Sequence, residues 1–444
     1  MQYICKQCKK TYTKWVGKCD NCGAWNSLEE IESNLNYNYR KIQKDIKYTN
    51  TQTIIKKLSQ ISETKDSLTT EIYTNISEID NLVGGKFIAG QYILLAGSPG
   101  IGKSTLCLQI LNSFYLQNKK ILYLAGEESL IQIKNRIDRL GIKIDDVDFV
   151  ETRDVYQLIN ILEQNVYDVF FVDSIQTLYS PNINSVPGSV SQVCECANLI
   201  MEIIKAKNIL TFIIGHITKS GDIAGPMYLE HMVDTILLFE GDRKSEARYL
   251  KVIKNRFGPT DELGIFRMTN KGLVSIKNTL DLIDSSSFDI KSPGIVFVMT
   301  AEGNRPIPLE VQALASRTFF SNPRRTASNF DINRLYIILA LLEKKMHIAI
   351  NEYDIFINIV GGIKYDDPGI DLGVLMSIYS SLKDFVVSRN KIFFGEVGLS
   401  GEIKKVYIED KRIKESNLLG FTEFFCSQTH KTVEKLIKDV FNRS

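Results

Sequence analysis

The stretch QYILLAGSPGIGKSTLCLQIL, residues 91–111, leaves this chain little freedom of fold. Tyr92 to Ala96 is an apolar run of the length a buried strand needs. Leu106, Ile110, Leu111 and Phe114 then recur at helical spacing. Between the two lies Gly97-Ser98-Pro99-Gly100-Ile101-Gly102-Lys103-Ser104-Thr105, which fits the phosphate-loop pattern G-x4-G-K-[ST]. Its glycines let backbone N–H groups curl around phosphate oxygens, and the following helix adds the positive end of its dipole. Gly97 to Thr105 are therefore the candidate ATP-binding residues. Lys103 is placed to reach the β- and γ-phosphates, and the Ser104 hydroxyl to ligate Mg²⁺.

Such a loop works only if neighbouring parallel strands bring polar residues to the same edge of a sheet. Ile121 to Ala125 reads as one such strand and ends in Gly126-Glu127-Glu128. Val169 to Val172 is another, followed by Asp173-Ser174, where an acidic residue would hold Mg²⁺ through water. Leu210 to Ile214 is a third, followed by Gly215-His216 and then Lys219. Glu127 is the candidate to polarise the attacking water. Glu128 is its alternate, or simply a charge in the first turn of the next helix. His216 and Lys219 are candidates to sense the γ-phosphate, although His216 could equally be an ordinary strand-end histidine.

KVIKNRFG, residues 251–258, reads as the end of a further strand. Strict alternation puts Leu250, Val252, Lys254 and Arg256 on one face, with the two cations about 7 Å apart. Most charges at strand ends simply face water. Here the motifs above supply something negative for them to meet.

The other strong signal is amino-terminal. CKQCKKTYTKWVGKCDNCG holds two C-x2-C pairs, Cys5/Cys8 and Cys19/Cys22, separated by ten residues. Two such knuckles present the four thiolates of a closed structural zinc site, with no open position for catalysis. Redox dithiols would need a βαβ context that is missing here. Lys6, Lys9, Lys10, Lys14 and Lys18 against Asp20 make the knuckle basic, suiting nucleic acid, an acidic protein or solvent alike. Cys107, Cys194, Cys196 and Cys426 are scattered and read as small core residues.

With 444 residues the chain implies two or three domains, and its net charge of +2 neither demands nor excludes a polyanionic partner. No apolar run approaches the ~18 residues that span a bilayer, and no signal-like stretch precedes Cys5, so a cytoplasmic protein without membrane contact is expected.

Taken in order, the four-cysteine finger, GSPGIGKST, GEES, VDSIQ, GHITK, AGP and KNRFG resemble the RadA (Sms) family of bacterial DNA repair proteins, from about residue 3 to about residue 425. The resemblance implies a RecA-like P-loop NTPase core with a small amino-terminal zinc finger and a carboxyl-terminal α+β domain similar to that of Lon protease. The implied organisation is a finger over 1–28, a linker over 29–75, the ATPase over 76–282 and the Lon-like domain over 290–444. It further implies a DNA-dependent ATPase of helicase type. Such an enzyme acts as a homo-hexamer on single-stranded DNA and on branched recombination intermediates, in partnership with RecA. Lys254 and Arg256 then become catalytic cations donated across a subunit interface. Ser189, Ser191 and Gln192, within residues 185–195, fall where RecA-like proteins place DNA-facing loops, Ala224 to His231 is a second candidate loop, and Lys219 is a further candidate DNA contact.

In the carboxyl-terminal part, Arg324 and Arg325 are candidate phosphate contacts. The serine region of Lon corresponds to Asp367-Pro368-Gly369-Ile370-Asp371-Leu372, which has no hydroxyl at the nucleophile position, and the dyad lysine falls near Asp410-Lys411. Peptidase activity is not expected. Two alternatives to the DNA motor are a Lon-like ATP-dependent protease and a nucleotide-switched assembly protein akin to KaiC. The first requires a nucleophile; the second shares the GEES-like strand end but lacks a zinc finger.

Overall fold

The computed structural model describes residues 2–8, 10–12, 15–31, 71–216, 227–241, 246–283, 286–320, 322–360 and 366–442. Most of the expected linker, Lys219 and the first part of the Ala224–His231 stretch lie outside them. The chain divides into two units, residues 1–67 and 68–444.

In the first unit, Gln2–Cys5 pairs antiparallel with Thr11–Tyr12 on one side and Leu28–Ile31 on the other. This three-stranded ribbon is too small to bury an ordinary core. Its buried cluster is Cys5, Cys19 and Leu28, with Cys8 and Tyr12 packed against them.

The second unit is built on a nine-stranded sheet. In chain order its strands are β1 (Tyr92–Gly97), β2 (Ile121–Ala125), β3 (Asp148–Val150), β4 (Val169–Asp173), β5 (Leu210–His216), β6 (Thr235–Glu240), β7 (Ala247–Asn255), β8 (Leu263–Thr269) and β9 (Gly272–Ser275). Their spatial order is β9-β8-β7-β6-β1-β5-β4-β2-β3. The run from β6 to β3 is parallel, and β7 to β9 extend it antiparallel. β1, β2 and β4 are apolar almost throughout and buried, as strands covered on both faces must be.

One face is covered by α1 (Lys103–Tyr115) and α2 (Leu130–Leu140), through Leu106, Ile110, Leu111, Ile133 and Ile137. The other is covered by α3 (Val155–Gln164) and α4 (Val190–Lys207), through Leu158, Leu162, Val193, Ile200 and Ile204. A capping box, in which Ser129 and Gln132 satisfy each other's amides, starts α2 immediately after Glu127-Glu128. Glu128 is thus tied to helix α2, where Arg136 holds its carboxylate at 2.6 Å.

β7 departs from strict alternation. Its register against β6 slips between Val252 and Lys254, which pair with Leu237 and Ile236 respectively. Leu237 and Ile236 belong to opposite faces of the sheet. This β-bulge at Ile253 therefore turns Lys254 to the face opposite Val252, correcting the alternation read from the sequence. Lys254 and Arg256 nevertheless share a side, since both bond the carbonyl of His231.

The carboxyl-terminal strands β10 (Ile295–Glu302), β11 (Arg305–Arg317), β12 (Arg325–Ser328), β13 (Tyr353–Ile359), β14 (Lys391–Phe393) and β15 (Glu423–Phe425) form a second sheet, ordered β12-β13-β11-β10-β14-β15. Its core is continuous with the first sheet: Tyr249, Leu263, Ile265 and Ile276 pack in the same cluster as Val298, Leu309, Leu335 and Leu375. Polar clasps reinforce the join. Arg305 bonds Glu78 and the carbonyls of Leu263 and Ile276, and Lys251 bridges Glu240 to Glu302.

In the stretch matched to the Lon serine region, the structure holds a buried ion pair. Arg412 donates to both carboxylate oxygens of Asp367 at 2.7 and 3.1 Å, and to the Met299 carbonyl at 2.9 Å. Asp367 in turn accepts from Thr300 Oγ1 and the Ala301 and Gly369 amides. A Cβ on Gly369 would lie 2.2 Å from an Arg412 nitrogen, so a serine there would have to displace the guanidinium. Asp410 and Lys411 are exposed, and Asp410 accepts from Gln428. Arg412→Leu leaves Asp367 charged and unpaired inside the fold and should cost about 3–5 kcal/mol of stability, measurable by denaturant unfolding. Gly369→Ser should also be destabilising and should produce no casein cleavage.

Candidate functional site: a phosphate loop and its strand-end polar chain

Parallel pairing in register brings the carboxyl ends of β1, β2, β4 and β5 to one edge. Gly97 is level with His216, and Ala125 with Asp173. At this edge Ser98, Pro99 and Gly100 are exposed while Gly97, Ile101 and Lys103 are buried. Two glycines are obligatory. Gly102, the N-cap of α1, has φ +118°, and a Cβ on Gly97 would lie 2.6 Å from the Phe239 carbonyl oxygen. The first amides of α1, at Lys103 to Thr105, have no acceptor within their own helix and sit at its positive end. These features fit a polyphosphate.

The Lys103 ammonium donates to the carbonyls of Gly97 (2.7 Å) and Ser98 (3.1 Å) and to His216 Nδ1 (3.1 Å). Burial lowers its pKa, partly offset by the carboxylates of Glu127 and Asp173. Since an ammonium can only donate, Nδ1 of His216 accepts, and its Nε2–H is left to donate to Glu127 Oε1 at 2.8 Å. Ser174 Oγ–H donates to the same oxygen. Lys103, His216, Glu127 and Ser174 thus form one polar chain across three strands. The hydrogen bond from His216 is the main reason the Glu127 carboxyl is held down at about 2. It is therefore ionised at every physiological pH.

Asp173 is buried beneath the loop. It accepts from Tyr123 Oη at 2.7 Å and is bonded by the Ser104 hydroxyl, while burial raises its pKa. Ser104 and Asp173 thus form the oxygen pair that would hold Mg²⁺ beside the phosphates. Glu127 is the strand-end carboxylate free of the helix, and Glu128 is committed to Arg136.

Two supports are not among the residues singled out from the sequence. Arg248, buried on β7, donates Nε–H to the Ile101 carbonyl at 3.2 Å and braces the loop from behind. Asp234 accepts from the Tyr92 amide, Lys205 and Arg256, locking the start of β1. Arg248 is an arginine within an apolar strand, a pattern that could have drawn notice.

Lys254 and Arg256 are not at this edge. Lys254 is level with Ile236 and so with Leu94, in the first half of β1, ~10 Å of strand from Gly97. Lys254 donates to the carbonyls of Glu230 (2.5 Å) and His231, and Arg256 to His231 and Asp234. They cannot serve their own phosphate loop.

Of the residues proposed to face DNA, Gln192 is corrected. It is 1% exposed, and its amide is used by Ser180, Ile183 and Ser185 to hold the preceding loop. Ser189 and Ser191 lie at the exposed start of α4, bonded to Ser185. Arg324 is exposed and stacks on Phe320 at 4.2 Å, next to Phe319, which is 97% exposed. Arg325 spends its guanidinium on the carbonyls of Arg324, Tyr353 and Ile350.

In the ribbon, the four sulfurs of Cys5, Cys8, Cys19 and Cys22 lie within 4.8 Å of one another. The closest pairs are 3.6 and 3.5 Å apart, near the ~3.8 Å expected when four thiolates surround one zinc at about 2.3 Å. Ser27 Oγ lies 3.2 Å from Cys5 and Tyr12 Oη 3.1 Å from Cys19, and these bonds lower both thiol pKa values, Cys5 to about 6.

Comparison with known proteins finds matches over the regions that contain these residues. Residues 72–279 match the family model described as KaiC, an ATPase model, and residues 3–30 match one described as the rubredoxin metal binding domain. A DNA repair protein RadA from Bacillus subtilis is 40% identical over 95% of this chain and 91% of its own length. That from Aquifex aeolicus is 42% identical, over 94% of this chain and 91% of its own. The chain belongs to the RadA family. A RadA from Listeria monocytogenes is 38% identical over 99% of this chain and 94% of its own. Among solved structures, a KaiC-like protein from Pyrococcus horikoshii is 16% identical, with a TM-score of 0.40, over 47% of this chain and 99% of that one. As a RadA, the chain carries a RecA-type ATPase domain and a metal-binding ribbon. Among the described residues no helix is long and apolar enough to cross a membrane.

Removing the imidazole should release Glu127 toward its ordinary value of 4.5. With Glu127 acting as the water-orienting carboxylate proposed below, ATPase activity of His216→Ala should fall off below about pH 5, where the parent is still flat. Coincident acid limbs in a pH–rate comparison would refute this.

Proposed function

We propose that this RadA is an ATP-driven motor of DNA repair. It works on single-stranded DNA, promotes branch migration of recombination intermediates alongside RecA, and operates as a ring of identical subunits, with a hexamer the expected form. The observation that carries the reading is the separation of the two halves of one catalytic apparatus. The phosphate loop, Glu127 and Asp173 lie at one edge of the sheet, and the cations Lys254 and Arg256 near the other. That division suits a ring in which ATP sits between subunits, bound by one and met by the cations of the next.

Each chain residue has a role in this reading. Gly97 to Thr105 bind the triphosphate, Lys103 lies along its β- and γ-phosphates, and Ser104 with Asp173 would hold Mg²⁺, which neutralises charge between those phosphates. Glu127, ionised and oriented by His216 and Ser174, orients the attacking water and takes up its proton. Arg256, with a planar fork, is the better donor to the transferring phosphate, and Lys254 the better point charge. Release from the His231 and Asp234 bonds is the step that would free Arg256 for a neighbour.

Ser189, Ser191, Lys219 and Arg324 remain the proposed DNA contacts. The carboxyl-terminal domain is read as a Lon-like scaffold whose peptidase site is filled by Arg412. The four cysteines hold structural Zn²⁺. Cys8→Ser should lose that zinc without abolishing basal ATP hydrolysis, because the phosphate loop lies in the other unit; zinc release and ATPase assays report both.

ATP hydrolysis should rise with single-stranded DNA and collapse in Lys103→Ala. Arg256→Ala should still bind ATP yet hydrolyse it roughly 10³-fold more slowly. Mixing the two variants should restore some activity, because some interfaces then pair an intact loop with an intact Arg256. No recovery in mixed rings would remove the cross-subunit role, and hydrolysis indifferent to DNA would remove the motor.

A further inference from the structure

The zinc ribbon carries more surface than a structural knob needs. The chain's 2 tryptophans both lie on it, Trp15 54% exposed and Trp25 72% exposed. They sit on one short strip. Trp15 lies over Gly17, whose would-be Cβ is 3.8 Å from its ring. The Gly17 carbonyl accepts from the Asn26 amide, and Lys18 bridges to Trp25. The Lys18 ammonium lies 5.4 Å from the centre of the Trp25 ring. Val16, between the first tryptophan and this strip, is also exposed. Between Cys5 and Ser27 the sequence has five lysines and one acid, Asp20, which Lys10 and Tyr12 already engage. The strip therefore offers flat aromatic faces set beside a cation in a basic surround.

We propose that the Trp15–Lys18–Trp25 strip is a stacking site for unpaired bases of single-stranded nucleic acid. The proposal rests on the DNA reading above and assigns the ribbon a part in it. Indole faces fit the exposed face of an unpaired base, which a duplex hides inside its stack, while Lys18 meets the adjoining phosphate. An acidic protein segment would satisfy the lysines but leave both indoles uncovered, so charge and shape together favour the nucleic acid.

Because the chain has no other tryptophan, its emission reports this strip directly. Full-length protein is titrated with oligo(dT), and binding is followed in parallel by the anisotropy of a dye-labelled oligo(dT). Emission should be quenched saturably, with the same midpoint as the anisotropy, and a blunt duplex should quench little. Trp25→Ala should weaken oligo(dT) binding about tenfold, and Trp25→Phe should recover most of the loss. Lys18→Gln should lower the slope of log affinity against log salt by about one. Zinc content confirms that each variant retains its ribbon.

Binding by anisotropy with unchanged emission, and with wild-type affinity in Trp25→Ala, would overturn the stacking site while leaving the DNA motor standing. No binding by anisotropy even at low salt would overturn both. If Trp25→Ala proves to lose its zinc, an unaltered salt slope in Lys18→Gln together with unquenched wild-type emission is the overturning result.

Discussion

The structure depends on β1 being parallel to both of its neighbours and buried on both faces. That single constraint explains why an apolar run is followed at once by glycines. Once the strand leaves the sheet its backbone groups lose their ladder, and the chain must turn sharply into α1 within a few residues. It also explains why the catalytic candidates come from places far apart in sequence. With β5 and β6 in register against β1, the carboxyl ends of the parallel strands arrive at one edge, and whatever residue stands there faces the same space. Asp234, clamping the Tyr92 amide at the start of β1, fixes the other end of that register.

At that edge the electrostatics form a series of dependent states. Burial lowers the pKa of Lys103 and raises that of Asp173, disfavouring the charged form of each. Glu127 moves the other way because it is only partly buried and receives two hydrogen bonds. A strongly ionised Glu127 is a modest proton acceptor, which suits orienting a water better than deprotonating it early. This accords with a phosphoryl transfer whose catalysis lies mainly in positioning and charge neutralisation. Depressed titration also has a stability sign. The Glu127 bonds favour the folded state above its unfolded pKa near 4.5 and lose that effect as pH falls toward about 2.

Much of this was legible in the sequence because the residue types and their spacing are themselves the mechanism. The glycine loop, the strands ending in Glu127, Asp173 and His216, and the paired C-x2-C knuckles follow from local pattern alone. What was not legible depends on tertiary register. The bulge at Ile253 leaves no trace in composition, yet it turns Lys254 to the other face. Gln192 looks like a polar loop residue, but its amide matches three backbone carbonyls that only the fold brings together. The join between the two sheets was also hidden. Tyr249 and Ile265 carry no mark of it, and the partners Val298, Leu335 and Leu375 lie many tens of residues later.

Around Gly369, in the stretch that the sequence resemblance matches to the Lon serine region, an ion pair fills the interior. A serine–lysine dyad needs a buried lysine able to lose its proton and a hydroxyl beside it. Here the polar partners at the same place are Asp367 and Arg412, which bond each other. Arginine cannot act as a base, and its fork is spent on Asp367 and the Met299 carbonyl. The pair also ties the turn at Pro368–Ile370, the strand β10 and the helix Glu409–Leu418 to one point. A charge pair buried in this way adds little stability compared with an apolar replacement, but it tolerates only one arrangement of those three elements. In a chain whose carboxyl-terminal sheet shares its core with the ATPase sheet, that geometric demand gives a reason for keeping the pair.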